Sequence, residues 1–222
     1  MADADGVRHD RNAQRSWRRT GSAVLQIAGH VCAPWRRPWR VRWGARDDEP
    51  PPGISDEQLI PEPSWSYVHA ISIDAPVEAV WPWIVQLGQG RGGFYAFERL
   101  ENLFGCRIRN TDRIEPGLQH LAVGDVIRLH PKAPPLHVAV LVPNRSLVLR
   151  GATEPGTVPD NVWGFHLCPD APGTCRLIET GRTVHGCSIP DRLFLSTLIV
   201  EPVGFVMGRE MLLGVKSRAE SW

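Results

Sequence analysis

The sequence contains no Cys-x-x-Cys, no His-Glu-x-x-His, no Gly-x-Ser-x-Gly and no Gly-x-x-x-x-Gly-Lys-Ser/Thr. Those absences remove the commonest sequence routes to a zinc site, a metalloprotease, a serine-hydrolase elbow and a phosphate-binding loop. Cysteine is sparse and odd in number, five in 222 residues, so neither a disulfide framework nor a metal site is expected. Cys168 and Cys175 flank a hairpin turn, which brings them close in sequence terms, but reduced thiols are the expectation. Long apolar runs are lacking too. The longest near the start, Ala23 to Ala33, is broken by Gln26 and His30 and falls short of the ~20 residues a bilayer span needs. An acidic start and an Arg-rich run after this piece are the wrong flanks for a secretory signal, so a cytoplasmic location is expected. Finally, net charge is lacking: at +1 the chain has no global field for nucleic acid, which is not an expected partner.

What is present is an ordinary globular composition, 42% hydrophobic and 22% charged. A domain of roughly 150 residues can bury about two thirds of its chain surface without cross-links. Charge is unevenly spread. The first 46 residues hold ten arginines against Asp3, Asp5 and Asp10, and Asp47 to Pro52 is a charged, proline-rich linker. Residues 1–63 therefore read as a basic, weakly ordered Arg/Trp-rich tail, and residues 64–222 as the folded domain. The tail mixes Arg with Trp17, Trp35, Trp39 and Trp43, a composition that suits peripheral contact with an anionic membrane or a plain disordered extension.

Beyond Ser64 the pattern is regular. Tyr67 to Ile73 alternates as a strand, and Pro76 opens a helix whose apolar stripe includes Val80, Trp83, Ile84 and Leu87. Gly88 to Gly93 matches G-x-G-x-x-G, but it follows a helix and no parallel crossover comes next, so it reads as a tight turn and no nucleotide is expected. A second helix is predicted over Phe94 to Phe104. Five strand segments follow: Val126–His130, Leu136–Val142, Ser146–Arg150, Val162–Cys168 and Cys175–Val184. A short helix over Arg192–Val200 and a long one from Glu201 to Ala219 close the chain. This order predicts an α+β fold, a curved antiparallel sheet wrapped around a long C-terminal helix with two short helices after the first strand. A cavity is expected between sheet and helix.

Four segments carry a family resemblance: IDAPVEAVWPWIVQLGQGRGGFY (Ile73 to Tyr95), ERLENLFGCRIRNTDRI (Glu98 to Ile114), HLAVGDVIRLHP (His120 to Pro131) and EPVGFVMGREMLLGVKSRAE (Glu201 to Glu220). Over about Tyr67 to Glu220 the chain resembles the START-related helix-grip superfamily, SRPBCC. It is most similar to bacterial polyketide cyclase/dehydrase and lipid-transport-like members. The resemblance implies a helix-grip fold around a ligand cavity and leaves the ligand open. In that subgroup Ser-Tyr-Asp often follows GGFY, where this chain has Ala96-Phe97-Glu98, and His often precedes the Asn of NxDRI, where it has Arg109.

Several residues are candidates for lining that cavity. Phe94 and Tyr95 begin the second helix and can form its rim. Glu98 and Glu101 share one helix face and Asn102 lies four residues after Glu98, so a polar side chain orienting a ligand and a solvated helix face are both open. Arg113 is a candidate anchor for a ligand carboxylate or enolate, or, with Asn110 and Asp112, a loop fastener. His130, His137 and His166 fall on adjacent strands, with His130 the cavity candidate. Trp163 and Phe165 share a strand face with Leu167. Glu179 and Arg182 fall on opposite faces of the last strand, so only one can point inward, and Arg182 is retained as a candidate. Met207 and Met211 lie on the long final helix. The expected partner is a small hydrophobic ligand; no cofactor and no metal are expected, and the oligomeric state is open. Two functions fit: a binding or carrier protein for a lipid, isoprenoid or polyketide-like molecule, or a polyketide cyclase/dehydrase-like enzyme using general acid–base chemistry in the same cavity.

Overall fold

The structure, a computed structural model, describes residues 19–50, 55–151, 161–184 and 199–221. Six strands form one antiparallel sheet: β1 (Trp65–Ile73), β2 (Val126–Ile127), β3 (Leu136–Val142), β4 (Ser146–Gly151), β5 (Asn161–Ala171) and β6 (Thr174–Thr183). Their order is β1-β6-β5-β4-β3-β2. β1 leaves the hairpin meander and returns to pair with β6, which makes β1 and β2 the two edges. Three helices precede β1: α1 (residues 19–31), α2 (Arg37–Val41) and α3 (Ser55–Leu59). α4 (Val77–Val85) and α5 (Glu98–Leu103) follow β1, and α6 (Glu201–Ala219) crosses the concave face. No helix among the described residues is long and apolar enough to cross a membrane.

The apolar core lies at one end of this grip. Trp83, Ile84 and Leu87 of the α4 region, Leu147, Leu149 and Leu177 of the sheet, and Leu212 and Val215 of α6 are buried together. Each such side chain stabilises the fold by roughly 1.5–3 kcal/mol relative to leaving it exposed. The C-terminal half of α6 joins this cluster, whereas in its N-terminal half Phe205 and Val206 pack in a second one with Ala23, Phe97 and Leu100. The sheet-facing side of that N-terminal half borders the cavity described below.

The segment Gly88 to Tyr95 is shaped by close approaches. Gly93 has φ +84°, and a Cβ there would lie 2.3 Å from the Asn110 Oδ1. That oxygen accepts hydrogen bonds from the backbone N–H groups of Phe94 (3.1 Å) and Tyr95 (2.8 Å). Tyr95 itself is held at φ +57°, a conformation no helix contains. The second helix therefore starts at Glu98, four residues later than its predicted start at Phe94. β2 is likewise shorter than the expected Val126–His130. The predicted helix over Arg192–Val200 lies, but for Ile199 and Val200, outside the described residues.

Part of residues 1–63, the segment set apart above as a tail, is helical and packed on α5 and α6. Ala23 of α1 is fully buried against Phe97, Leu100, Phe205 and Val206. Arg40 of α2 is 2% exposed and its guanidinium is paired with Glu201 at the start of α6 (2.6 Å). Arg37 reaches the other oxygen of the same carboxylate (2.9 Å). Of the arginines in the basic run, Arg40 is thus a buried ion-pair partner of Glu201 and Arg37 a partly exposed one. Residues 1–18 lie outside the described residues.

The same segment continues over the outer face of the sheet. Arg176 of β6 points outward and binds both oxygens of Glu49 (2.8 and 2.7 Å). Asp56 of α3 accepts a hydrogen bond from Thr180 and lies 3.1 Å from Nε2 of His166, whose Nδ1 meets the Ser146 hydroxyl (3.1 Å). Arg182 binds the carbonyls of Ile60 and Pro61. Cys168 pairs in register with Arg176 and so shares its outer face, whereas Cys175 belongs to the core face. The two thiols that flank the turn are on opposite sides of the sheet.

Asp56 anchors α3, and its neighbours His166 and Thr180 outweigh burial to hold its carboxyl below the ordinary value. Depression of an acid in the folded state stabilises above the unfolded carboxylate range and is lost as pH falls through the folded value. Asp56→Ala is expected to lower unfolding free energy at pH 7 by about 2–4 kcal/mol, because it strands buried partners. Urea titration checks this, and the difference from wild type should shrink below about pH 4.

Candidate functional site

A cavity of about 350 Å³ separates the sheet from the N-terminal half of α6. Its walls come from β1 and β6 on one side, Phe94, Ala96 and Glu101 on another, and Phe205, Met207 and Met211 of α6 above. Arg40 and Val41 of α2 complete it, so the N-terminal segment is part of the wall.

Strand periodicity builds the polar end. Trp65, Tyr67 and His69 occupy alternate positions of β1 and so share its inward face. In register, His69 and Phe165 flank Glu179, and Tyr67 and Trp163 flank Gly181. A Cβ at Gly181 would lie 2.1 Å from the Tyr67 ring, so only glycine lets that ring lie across β6. The Tyr67 hydroxyl then donates to Glu179 Oε1 (3.1 Å), as does the Trp163 indole N–H (2.8 Å). Burial and the adjacent carboxylate push the Tyr67 hydroxyl well above its ordinary value, which keeps it a donor. His69 Nδ1 lies 3.2 Å from Glu179 Oε2, and its Nε2 lies 3.1 Å from the Arg40 carbonyl. A carbonyl only accepts, so the contact at Nε2 requires the proton on that nitrogen. Glu179 is 2% exposed and has a partner on each oxygen.

The opposite wall differs. Glu101 on α5 is 8% exposed and its Oε2 has no hydrogen-bond partner. Burial, reinforced by Glu98 one turn earlier, pushes its carboxyl up to about 7.

The sequence candidates divide accordingly. Phe94, Trp163, Met207 and Met211 line the cavity. Phe165 is buried in the core. Tyr95 turns away beneath α6, where its hydroxyl meets Gln86 and the Trp83 carbonyl and Arg218 stacks on its ring. Glu98 caps the Asn110 N–H and Asn102 is spent on the backbone of Ile108, so both secure the loop after α5. Arg113 is exposed and paired with Glu115. His130 binds the Phe104 carbonyl. Arg182 faces outward, which leaves Glu179 as the inward residue of that pair. Tyr67, His69, Arg40 and Glu201 were not anticipated as wall residues. A signal for two of them was legible: Trp65, Tyr67 and His69 form an aromatic stripe at period two.

A six-stranded antiparallel sheet closed over one long terminal helix, with two short helices after β1 and a cavity beneath, decides the architecture. The fold is a helix grip. No protein-family model matches the chain, and no curated protein matches it. Among solved structures, a protein from Mesorhizobium loti is similar at 18% identity, covering 71% of this chain and 98% of its own, with a TM-score of 0.41. A polyketide-cyclase-like protein from Corynebacterium glutamicum is similar at 16% identity, covering 68% and 88%, with a TM-score of 0.38. The Aha1 dimer from Colwellia psychrerythraea is similar at 16% identity, covering 65% and 98%, with a TM-score of 0.34. At these values the likenesses bear on neither ligand nor activity.

Glu101 gives the helix grip a measurable pH signature. An acid raised in the folded state holds its proton more tightly there than in the unfolded chain, so it lowers stability as pH rises from the unfolded value to about 7. Glu101→Gln is expected to abolish that decline and to be more stable than wild type at pH 8 by about 2–3 kcal/mol, with little difference at pH 4. Thermal and urea melts at the two pH values check it.

Proposed function

We propose that this chain is a binding or carrier protein for a small hydrophobic molecule, such as a lipid, isoprenoid or polyketide-like compound, held between the sheet and α6. The observation that supports this is the cavity itself, about 350 Å³ and walled largely by Phe94, Trp163, Phe205, Met207 and Met211. That volume lies in the range of small-molecule sites, and an apolar wall with a few placed polar groups is their usual chemistry. Transfer of apolar ligand surface from water into such a space contributes about 25 cal/mol per Å².

A second reading, a polyketide cyclase/dehydrase-like enzyme using general acid–base chemistry, is favoured by Glu101. A carboxyl near 7 is matched to proton transfer at neutral pH. This reading expects a bound β-dicarbonyl compound to exchange its α-protons with deuterated solvent faster than in buffer, with Glu101→Gln removing the acceleration. Equal exchange with and without protein would end it.

Gly204 offers a direct test of the cavity. It lines the mouth, and no atom lies within 4 Å of where its Cβ would be. Gly204→Trp is expected to fill the entrance while keeping or slightly raising helix stability. Wild-type protein should bind the apolar dye diphenylhexatriene at one per chain and carry a non-covalent mass in native mass spectrometry after purification from its own host. Gly204→Trp should bind the dye at least tenfold more weakly with its melting temperature unchanged or raised. No dye binding by wild type, or equal binding by the variant, would contradict the proposal.

A further inference from the structure

The buried carboxyls of the described residues show a pattern with one exception. Glu179 is met by Tyr67, Trp163 and His69; Glu201 by Arg37 and Arg40; Glu49 by Arg176; Asp56 accepts from Thr180 at Oδ2, and its Oδ1, which has no hydrogen bond, still faces Nε2 of His166 at 3.1 Å. Glu101 lines the cavity, is more than nine-tenths buried, and leaves Oε2 without a partner. Leaving a buried acceptor unmatched costs on the order of 1–3 kcal/mol, and the neighbouring Glu98 adds repulsion. A site that leaves one wall carboxyl unmatched while saturating the others is arranged to be completed from inside the cavity.

The cavity's own cations narrow the ligand further. Arg40 and His69 are the basic side chains among the lining residues, and both are engaged, with Glu201 and with Glu179. An anionic head group such as a fatty-acid carboxylate would meet two acidic walls and no uncommitted basic side chain among the lining residues.

We infer that the ligand is an apolar molecule bearing one hydrogen-bond-donating head, a hydroxyl or an ammonium group, which Glu101 accepts at the α5 wall. The inference rests on the cavity being a ligand site. It assigns to Glu101 the choice of head group, and to Phe94, Trp163, Met207 and Met211 the accommodation of the skeleton.

The pH dependence follows from the groups around this carboxyl. Glu98 shares its helix, and Cys106 follows shortly after. Among the other lining residues, the ionisable groups are Tyr67, the His69–Glu179 pair and the Arg40–Glu201 pair. With the Glu101 carboxyl near 7, the ionised fraction rises about tenfold between pH 6 and pH 8, so an ammonium ligand should bind about tenfold more tightly at the higher pH.

The experiment is displacement of diphenylhexatriene by four ten-carbon probes: decan-1-ol, decylamine, decanoate and methyl decanoate. Wild type at pH 8 is expected to prefer the alcohol and the amine over decanoate by at least tenfold, and decylamine to gain about tenfold from pH 6 to pH 8. Glu101→Leu should keep dye binding, lose about tenfold for the alcohol and amine, and hold or gain affinity for the ester. Glu101→Gln, nearly the same size, should lose the pH dependence for decylamine and serves if the leucine variant does not fold. An unchanged rank order in the variants, with dye still bound, would overturn the role of Glu101 and leave the cavity reading standing. Absence of dye binding by wild type would remove both.

Discussion

The structure turns on a carboxylate that cannot be covered by hydrocarbon. Glu179 sits on the inner face of β6, next to the edge strand β1, with Tyr67, Trp163 and His69 directed at its two oxygens. α6 comes closest there at Gly208, where a Cβ would lie 2.9 Å from Oε2. Stripping such a group of its partners costs several kcal/mol, so apolar side chains do not close over it. The N-terminal half of the helix touches the sheet at this polar post and turns Phe205 and Val206 to Ala23, Phe97 and Leu100, while Leu212 and Val215 of its C-terminal half join the main core. The space left alongside is the cavity.

The helix in turn is positioned by the N-terminal segment. Glu201 opens α6 and takes Arg37 and Arg40 of α2, while the Arg40 carbonyl meets the far side of the His69 ring. One short helix thus ties the start of α6 to the polar end of the cavity through a side chain and a backbone oxygen. Glu201 also lies where the helix dipole favours negative charge. Arg19, Arg37, Arg40 and Arg46 each have a specific acidic partner far along the chain, and net charge alone conceals this.

Local pattern made much of the scaffold legible. β1, β3, β6 and α6 follow from alternation, turn residues and Pro202 after Glu201, all of which are short-range rules. The misplaced pieces share a different cause. The start of α5 depends on Asn110 capturing two backbone N–H groups of the Gly93–Tyr95 turn, a contact between segments sixteen residues apart. Arg40 and Arg37 reach across more than 160 residues to Glu201. Arginines with such partners are indistinguishable in sequence from solvated ones. For the site, apolar residues such as Trp163, Met207 and Met211 were readable because periodicity assigns faces. Glu98, Asn102 and Arg113 were not, because a polar side chain on a short helix or loop goes to whichever partner is nearby, a backbone group for Glu98 and Asn102 and the Glu115 carboxylate for Arg113. Glu101 was visible only as a neighbour of Glu98 on one face, and its burial depends on the cavity that the rest of the fold creates.

The chain offers a natural pair of reporters for the claim that this space receives a guest. It has three methionines, and two of them, Met207 and Met211, line the cavity while Met1 lies at the chain start. Carbon-13 methyl-methionine NMR during titration with a small apolar molecule such as cyclohexane is the most direct measurement. The account predicts saturable shifts of the Met207 and Met211 methyl signals with Met1 unmoved. Three signals that stay in place, or that drift together without saturation, would contradict it.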